Sequence, residues 1–367
     1  MADQTKNYNE FAHILYNTFF DNHAEIQYVK EQFVPLRDWI KNNIPEKLYR
    51  FRPITKYSIS ALETDEIWGS QINTFNDPYE CLPSYHMDAV NRYIDHEFSV
   101  EIFKSNLKHV TSNNIPEWIT TKFSPEIISN LRTAADFLLN NPETTVYLHQ
   151  LKQSLISMWQ ENLDQLNTQF ITDMLIRENM YAIASFSETY TSSVMWAHYA
   201  KSHTGFCIEY DIKSFLTDCS ENCTNLRNCP GFMMNYAIAP VMYQNQRYDA
   251  SAGFTSLLIN WSIDKMKIPM SNHYFDMFLP TKLLLTKSSD WDYEREWRLF
   301  KILDSGNIVK HKMIANLKPT AVYVGVRIKE QNKRRIVNIC NDKQIPCYQM
   351  LPQYFTSTYE STMLQIN

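Results

Sequence analysis

Two glutamates separated by one residue are candidates for acid–base chemistry. Glu294 and Glu296 lie in the segment WDYEREWRLF at 291–300. In a strand, the side-chain period of two would place both carboxylates and Arg298 on one face. Like charges this close resist joint ionisation, so one of the two carboxyl groups is expected to have a raised pKa. A surface strand with basic partners on its neighbour would give the same pattern, and both interpretations stay open.

An arginine and two serines on other predicted strands could complete such a site. In LYRFRPI at 48–54, alternation places Arg50 and Arg52 on one face and the aromatic side chains on the other. Arginine binds phosphate or carboxylate through two parallel hydrogen bonds, so Arg52 is a candidate ligand-binding residue. In ASFSE at 184–188, Ser185 and Ser187 share one strand face. The alternative for the arginines is a solvated strand face.

A short helix rich in aromatic and imidazole groups is predicted after those serines. In SSVMWAHYAKSHTG at 192–205, Trp196 and Tyr199 stand three residues apart and share a helix face. His198 lies off that face, and His203 follows the helix. Either imidazole could act in catalysis or binding, although a lone histidine more often has a structural role.

The loop FNDPYE at 75–80 is a turn signal, because Asx side chains bond the local backbone and proline fixes φ. Its functional interpretation is that the turn presents Asp77 or Glu80 to a cleft. Hard oxygen ligands suit Mg²⁺ or Mn²⁺, which permits metal-dependent phosphoester hydrolysis as an alternative function. The four residues considered for that metal are Asp77, Glu80, His198 and Glu209.

No metal site is predicted, because neither candidate set has the spacing of metal ligands. A zinc knuckle would need tighter cysteine pairs and a clear fourth ligand. The cysteines in CSENCTNLRNCP are therefore interpreted as incidental thiols of a polar loop: Cys219, Cys223 and Cys229.

The pattern of elements predicts an α+β fold with a mixed or antiparallel central sheet. Residues 1–45 have helical spacing, and Pro35 is expected to kink or interrupt the second helix. The core is assigned to 46–84 and 181–355, and 85–180 to a large helical insertion. Helices are predicted near 56–64, 193–201, 252–268, 272–285 and 329–342. Strands are predicted at 48–54, 67–70, 181–187, 205–211, 237–243, 294–302, 321–328 and 346–351.

Composition limits the classes of function. The net charge of −5 does not favour nucleic-acid binding, since phosphate neutralisation needs an excess of Lys and Arg. Six glycines argue against glycine-rich phosphate cradles. No stretch approaches the roughly 18–20 apolar residues of a membrane span, and no signal-peptide apolar region begins the chain. The seven cysteines are expected to be reduced in a cytoplasmic protein. Nothing indicates an oligomeric state.

The four motifs together resemble a bacterial family known as domain of unknown function 2971. The resemblance spans roughly 47–350 and rests on LYRFRP, FNDPYE, SFSE with MWAHYAKSHTGFCIEYD, and WDYEREWRL in this order. The helical block at 85–180 looks like a variable insertion, and residues 1–45 lie outside the match. The family name implies no activity, and some members are associated with phage defence.

The chain also resembles, more distantly, ADP-ribosyltransferases of the Arg-Ser-Glu type. In that family an early-strand arginine holds the dinucleotide NAD, a Ser-x-Ser orders the site, and the last glutamate of a Glu-x-Glu stabilises the ribosyl cation. The matching positions are Arg52, Ser185 with Ser187, and Glu294 with Glu296. The spacing between the first two is stretched by the insertion, and FNDPYE and HYAKSH have no place in that template.

The resemblance implies NAD as a possible substrate, with Trp196 and Tyr199 as an aromatic wall for nicotinamide. The chain would then be an ADP-ribosyltransferase or an NAD glycohydrolase. The alternatives are a sensor module that binds a nucleotide or peptide without catalysis, and the metal-dependent phosphoesterase.

Overall fold

A computed structural model describes the protein over residues 2–21, 24–121, 123–178, 181–213, 238–267, 276–302, 311–353 and 361–367. It confirms the α+β class: helices and one large, mostly antiparallel sheet make up the described chain. The cysteines of the loop CSENCTNLRNCP lie outside the described residues. None of the described helices is long and apolar enough to cross a membrane.

The first two helices, α1 (Ala2–Asn17) and α2 (Ile26–Asn43), pack on the core of the sheet. Trp39 of α2 stacks on Trp297 with ring centroids 6.4 Å apart. Of the two effects predicted for Pro35, the interruption was wrong, because α2 is one helix on both sides of this residue, and the kink stays a prediction. Buried Phe33 and Leu36 lie on either side of the proline, and their packing offsets the cost of proline in a helix interior, which is about 3 kcal/mol for the lost hydrogen bond and the ring clash together.

The strands of the large sheet form the order β12-β11-β10-β4-β1-β3-β2-β9, while β8 pairs with both β3 and β5. All described pairs in it are antiparallel except β10 with β11. The bounds are β1 (Leu48–Arg52), β2 (Glu66–Ser70), β3 (Tyr181–Ser187), β4 (Phe206–Tyr210), β5 (Ile238–Pro240), β8 (Glu296–Ile302), β9 (His311–Asn316), β10 (Ala321–Val324), β11 (Cys347–Pro352) and β12 (Ser361–Gln365). A separate parallel pair consists of β6 (Met242–Gln244) and β7 (Thr286–Ser288).

Strand β3 has an opening along one edge. On its other edge β8 pairs with it from Tyr181 to Ser187. On the open edge, β1 is in register only at Ser187 and β2 only at Ile183, among the described residues. Ser185 lies between these two points and is the one exposed side chain in a strand of otherwise buried residues. The sheet is therefore split beside Ser185.

The block predicted as a helical insertion contains six helices in its described part: α4 (Met87–Glu97), α5 (Val100–Thr111), α6 (Glu117–Thr120), α7 (Pro125–Asn140), α8 (Thr144–Glu161) and α9 (Leu163–Glu178). They form a hydrophobic core of their own, separate from the sheet core. Two later helices join this core: α11 (Ser251–Met266) and α12 (Leu279–Leu284). The domain boundaries remain a prediction.

Three further helices connect the strands: α3 (Lys56–Glu63), α10 (Ser193–Tyr199) and α13 (Glu330–Lys343). Thr55 caps α3, and its side chain accepts a hydrogen bond from the Ser58 amide. The predicted strand at 237–243 is two strands, β5 and β6, separated by Val241. The predicted strand at 294–302 begins later, at Glu296.

Candidate functional site

The split in the sheet opens into a pocket of about 360 Å³. Its walls come from β1, β3, α10, the FNDPYE loop and the segment that enters β8. Eight of the predicted site residues line it: Arg52, Glu80, Ser185, Ser187, His198, Tyr199, Glu294 and Glu296. Segments far apart in the chain thus converge at one place, and the roles of these residues remain predictions.

The floor of the pocket is a buried cluster of three carboxylates and two cations, which we call the ionic cluster: Glu80, Lys287, Glu294, Glu296 and Arg298. Every side chain in it is at most 4% exposed. If all five groups are ionised, the cluster has one excess negative charge. A buried excess charge is unfavourable, which favours proton uptake by one carboxylate.

One side of the two predicted glutamates is bound by Lys287. Its Nζ lies 2.6 Å from Glu294 Oε2 and 3.5 Å from Glu296 Oε2. Glu80 Oε2 is 3.8 Å from the same nitrogen, a distance that contributes charge attraction but no hydrogen bond. Burial alone would lower the pKa of Lys287, but the negative charges of Glu296 and Glu294 raise this pKa above its ordinary value. Lys287 is therefore a cation at all physiological pH values.

The second cation of the cluster, Arg298, binds two of its carboxylates. Its Nε donates to Glu296 Oε1 and its Nη2 to Glu296 Oε2, both at 2.9 Å. The guanidinium also donates to Glu80 Oε1 and to the carbonyl of Leu284. It lies under the ring of Phe75, with 5.4 Å between the guanidinium carbon and the ring centroid. Glu296 thus forms ion pairs with both Arg298 and Lys287.

The geometry that joins the two glutamates differs from the predicted alternation. Glu294 ends a 3₁₀ helix, Ser289–Glu294, and does not belong to a strand. Arg295 then adopts a left-handed conformation with φ of 45°, and β8 begins at Glu296. Strand periodicity cannot anticipate this turn. The two carboxylates meet because both bind Lys287, not because they share a strand face.

Glu296 has the most informative pKa of the pocket. Burial raises the pKa of Glu296 to about 7, and Glu294 adds to the rise, while Lys287 and a hydrogen bond with Ser185 lower it. We attribute the net direction to burial, which removes the solvation of the charged form. A carboxyl group with this pKa can gain or lose a proton near neutral pH.

The two serines of β3 differ in environment. Ser187 is fully buried, and its hydroxyl donates to the carbonyl of Glu294 at 2.7 Å. It therefore fixes the turn that carries Glu294. Ser185 is exposed to the pocket and hydrogen-bonds to Glu296. Of the two hydroxyls, that of Ser185 is placed to contact a ligand.

Two arginines of β1 face the pocket without an acidic partner. Arg50 donates from Nη2 to the carbonyl of Trp68 at 2.6 Å and lies 5.7 Å from the centroid of Phe186. Within the described part of the chain, neither Arg50 nor Arg52 forms an ion pair. Burial and the neighbouring charge of Arg52 lower the pKa of Arg50 to about 9, so it is a cation at pH 7. The pocket thus holds two positive charges that an anion can neutralise.

Helix α10 supplies part of the pocket mouth. His198 is exposed, and its Nδ1 lies 3.1 Å from the hydroxyl of Tyr293. Tyr199 donates its hydroxyl hydrogen to Glu294 Oε1, and the Asn76 amide donates to the Tyr199 oxygen at 3.4 Å. Tyr199 therefore connects the ionic cluster to the FNDPYE loop.

Trp196 and His203 do not line the pocket. Trp196 was predicted to form part of its aromatic wall, and His203 was predicted to bind the ligand. Trp196 is buried edge-on against Phe51, and its indole nitrogen donates to the carbonyl of Tyr190. His203 stacks on Trp196 at 6.2 Å. The helix face that carries Trp196 is a core face, because it packs on the sheet. Asp77 also lies apart, in a neighbouring cavity.

A left-handed turn ends α10. Lys201, Ser202 and His203 have φ values of 47°, 54° and 66°. The amide of Ser202 donates to the carbonyl of Ala197, and that of His203 to the carbonyl of Trp196. A Cβ added at Gly325 would lie 2.2 Å from the His203 carbonyl oxygen, so only glycine fits there.

Two cluster residues were not recognised as site residues from the sequence. Arg298 was placed only on the strand face of the glutamates, and Lys287 was not singled out. The available signal for Lys287 was a lysine directly after the apolar run LLLT, where a cation needs a buried partner. Glu209 lies elsewhere, bonded to Tyr323 and Thr320. The described residues contain no group of three His, Cys, Asp or Glu side chains placed to hold a metal ion.

Comparisons with curated proteins and with solved structures gave no match. A family model matches 105 residues, which include α10 from Met195 onward, β4 and four of the five members of the ionic cluster. Residues 195–299 are similar to the family described as "Protein of unknown function (DUF2971)", in agreement with the family resemblance of the sequence motifs.

Proposed function

We propose that the central pocket is an active site that binds an anionic nucleotide and cleaves its glycosidic bond, with NAD as the substrate. One observation carries the proposal. Arg50 and Arg52, which lack acidic partners in the described chain, line the same pocket as Glu296, whose pKa is about 7. An anion site beside a carboxyl group that titrates at neutral pH suits a phosphate-bearing substrate and acid–base chemistry.

In the proposed reaction the bond between ribose C1′ and the nicotinamide nitrogen breaks, and its electron pair goes to the pyridinium ring. The ribose becomes an oxocarbenium-like cation, which the ionised carboxylate of Glu296 stabilises. An acceptor hydroxyl or water then attacks C1′, and its proton passes to Glu296. With water as acceptor, the products are ADP-ribose, nicotinamide and one proton.

The neighbours of Glu296 fit this role. Lys287 and the Ser185 hydroxyl lower its pKa relative to burial alone, so a substantial fraction is ionised at pH 7. Arg298 binds both carboxylate oxygens and fixes their orientation. Positioning of this kind reduces the reorganisation that the reaction requires.

The test is release of nicotinamide from NAD by the purified protein, followed by chromatography, with NAD binding measured by calorimetry. Glu296→Gln should reduce turnover at least a hundredfold and leave NAD affinity nearly unchanged. Glu46→Gln, at an exposed position before β1, is the matched control and should behave as the wild type. Calorimetry without heat of binding, together with no nicotinamide release, would reject NAD as substrate.

A nucleotide-binding module without catalysis is the second candidate. It is supported by the pairing of both glutamates with buried cations, because a purely structural role of these carboxylates would give the same pairing. This function predicts NAD binding by the wild type without nicotinamide release. For either function, the phage-defence role implied by the family resemblance predicts fewer plaques on cells that express the protein. Arg52→Met should abolish that protection.

A further inference from the structure

A second cavity, of about 410 Å³, adjoins the central pocket. Lys287 lines both spaces, so the ionic cluster separates them. The FNDPYE loop divides its side chains between the two: Asn76 and Glu80 line the pocket, whereas Asp77 and Tyr79 line the second cavity. The two spaces are therefore neighbours with distinct linings.

The charges of the second cavity are opposite to those of the pocket. Asp77 and Asp290 both line it, and neither forms an ion pair within the described chain. Asp77 Oδ1 accepts a hydrogen bond from the Tyr79 amide, and Asp290 Oδ2 accepts one from the Ser288 hydroxyl. These donors are neutral, so neither hydrogen bond compensates a carboxylate charge; Asp77 is attracted to the Arg298 guanidinium of the ionic cluster without forming an ion pair with it.

The other charges of the lining do not cancel this excess. Lys287 is neutralised by the carboxylates of the ionic cluster. Arg247 contributes one positive charge, so the two aspartates leave a net charge of −1 on the lining. This lining favours a ligand with a positive charge.

Aromatic rings strengthen that preference. Trp291, Tyr79 and Tyr248 line the cavity, and Tyr79 is 67% exposed. One ring already contacts a cation, since the Lys287 ammonium lies 4.8 Å from the centroid of Trp291. Aromatic faces beside carboxylates are the surroundings in which proteins bind organic ammonium groups.

We propose that the second cavity binds an organic amine in its ammonium form, as a ligand additional to the anion in the central pocket. This inference rests on the proposed function only for the identity of the anion in the central pocket, which is NAD. Asp77 and Asp290 supply the counter-charge, and Trp291 with Tyr79 supplies the aromatic surface. The protein then binds two ligands of opposite charge on the two sides of Lys287.

The experiment uses putrescine as the amine and 1,4-butanediol as its neutral counterpart, titrated into the full chain by calorimetry. We expect putrescine to bind and butanediol to give no saturable signal. The double variant Asp77→Asn with Asp290→Asn should weaken putrescine binding at least tenfold. Asparagine keeps both hydrogen-bond acceptors, so the thermal unfolding midpoint should stay close to that of the wild type.

Arg52→Met distinguishes this inference from the proposed function, because it should weaken NAD binding and leave putrescine binding unchanged. Equal putrescine affinity of the wild type and the aspartate double variant would overturn the inference, as would equal binding of butanediol. In either case NAD binding by the wild type would leave the proposed function intact. Putrescine binding without NAD binding would support this inference and reject NAD as the ligand of the proposed function.

Discussion

Replacement of Glu296 by glutamine should change how the stability of the protein depends on pH. In the folded protein burial raises the pKa of Glu296 to about 7, from an ordinary value of 4.5. Between these values the folded state holds a proton that the unfolded state has lost. The wild type therefore loses stability as pH rises through this window. Glutamine does not titrate, so the variant lacks this contribution.

The size of the effect follows from the two pKa values. One pKa unit corresponds to about 1.4 kcal/mol, so the loss of stability between pH 5 and pH 8.5, which covers most of this window, is roughly 2–3 kcal/mol. The free energy of unfolding of the wild type, minus that of Glu296→Gln, should fall by this amount across the range. Any constant cost of the substitution cancels in this comparison, because it shifts the difference equally at each pH.

Urea denaturation followed by tryptophan fluorescence at several pH values measures this difference. The control variant Glu46→Gln should follow the wild type at every pH, since its side chain is exposed. A difference between wild type and Glu296→Gln that stays constant from pH 5 to pH 8.5 would refute the reasoning. It would mean that Glu296 is ionised throughout, and the acid–base role would lose its basis.

Three further substitutions test other parts of the structure. Lys287→Met should reduce the free energy of unfolding by about 3–5 kcal/mol at pH 8 in urea denaturation, because it leaves buried carboxylates unpaired, whereas the exposed control Lys318→Met should change it by less than about 0.5 kcal/mol. Gly325→Ala should lower the thermal midpoint by several degrees, since its Cβ would collide with the His203 carbonyl, and an unchanged midpoint would contradict the packing. Arg52→Met should weaken NAD binding at least tenfold in calorimetry, and salt should weaken wild-type binding more than that of the variant.

Local periodicity was enough to predict several parts of the site. The bounds of β3 agree with the prediction, and the shared face of Ser185 and Ser187 follows from strand geometry. The α+β class followed from irregular alternation of helices and strands. For β3 the signal lies within ten residues of sequence and depends on burial of one face, whereas the fold class depends on the order of elements along the chain.

Other parts depend on contacts between distant segments, and periodicity contains no information about them. Lys287 joins the site through its position beside β8, not through any motif. Trp196 was expected in the pocket because sequence spacing shows that it shares a helix face with Tyr199. The spacing does not show which side of the sheet covers that face. The strands β9 and β12 were missed because HKMIAN and STMLQ are short and lack clear alternation.

Beside the gap in the sheet, a side chain adds a direct tie between β1 and β2, whose backbones, in the described part of the chain, are joined only through their separate pairings with β3. The Cα positions of Ile183 and Ser187 are separated by four residues, or about 13 Å along an extended strand. Arg50 spans this interval from β1 to the Trp68 carbonyl on β2. A phosphate that recruits Arg50 would exchange that internal tie for a bond to the ligand. Occupancy of the pocket should then alter amide hydrogen exchange in β1 and β2 on either side of the seam.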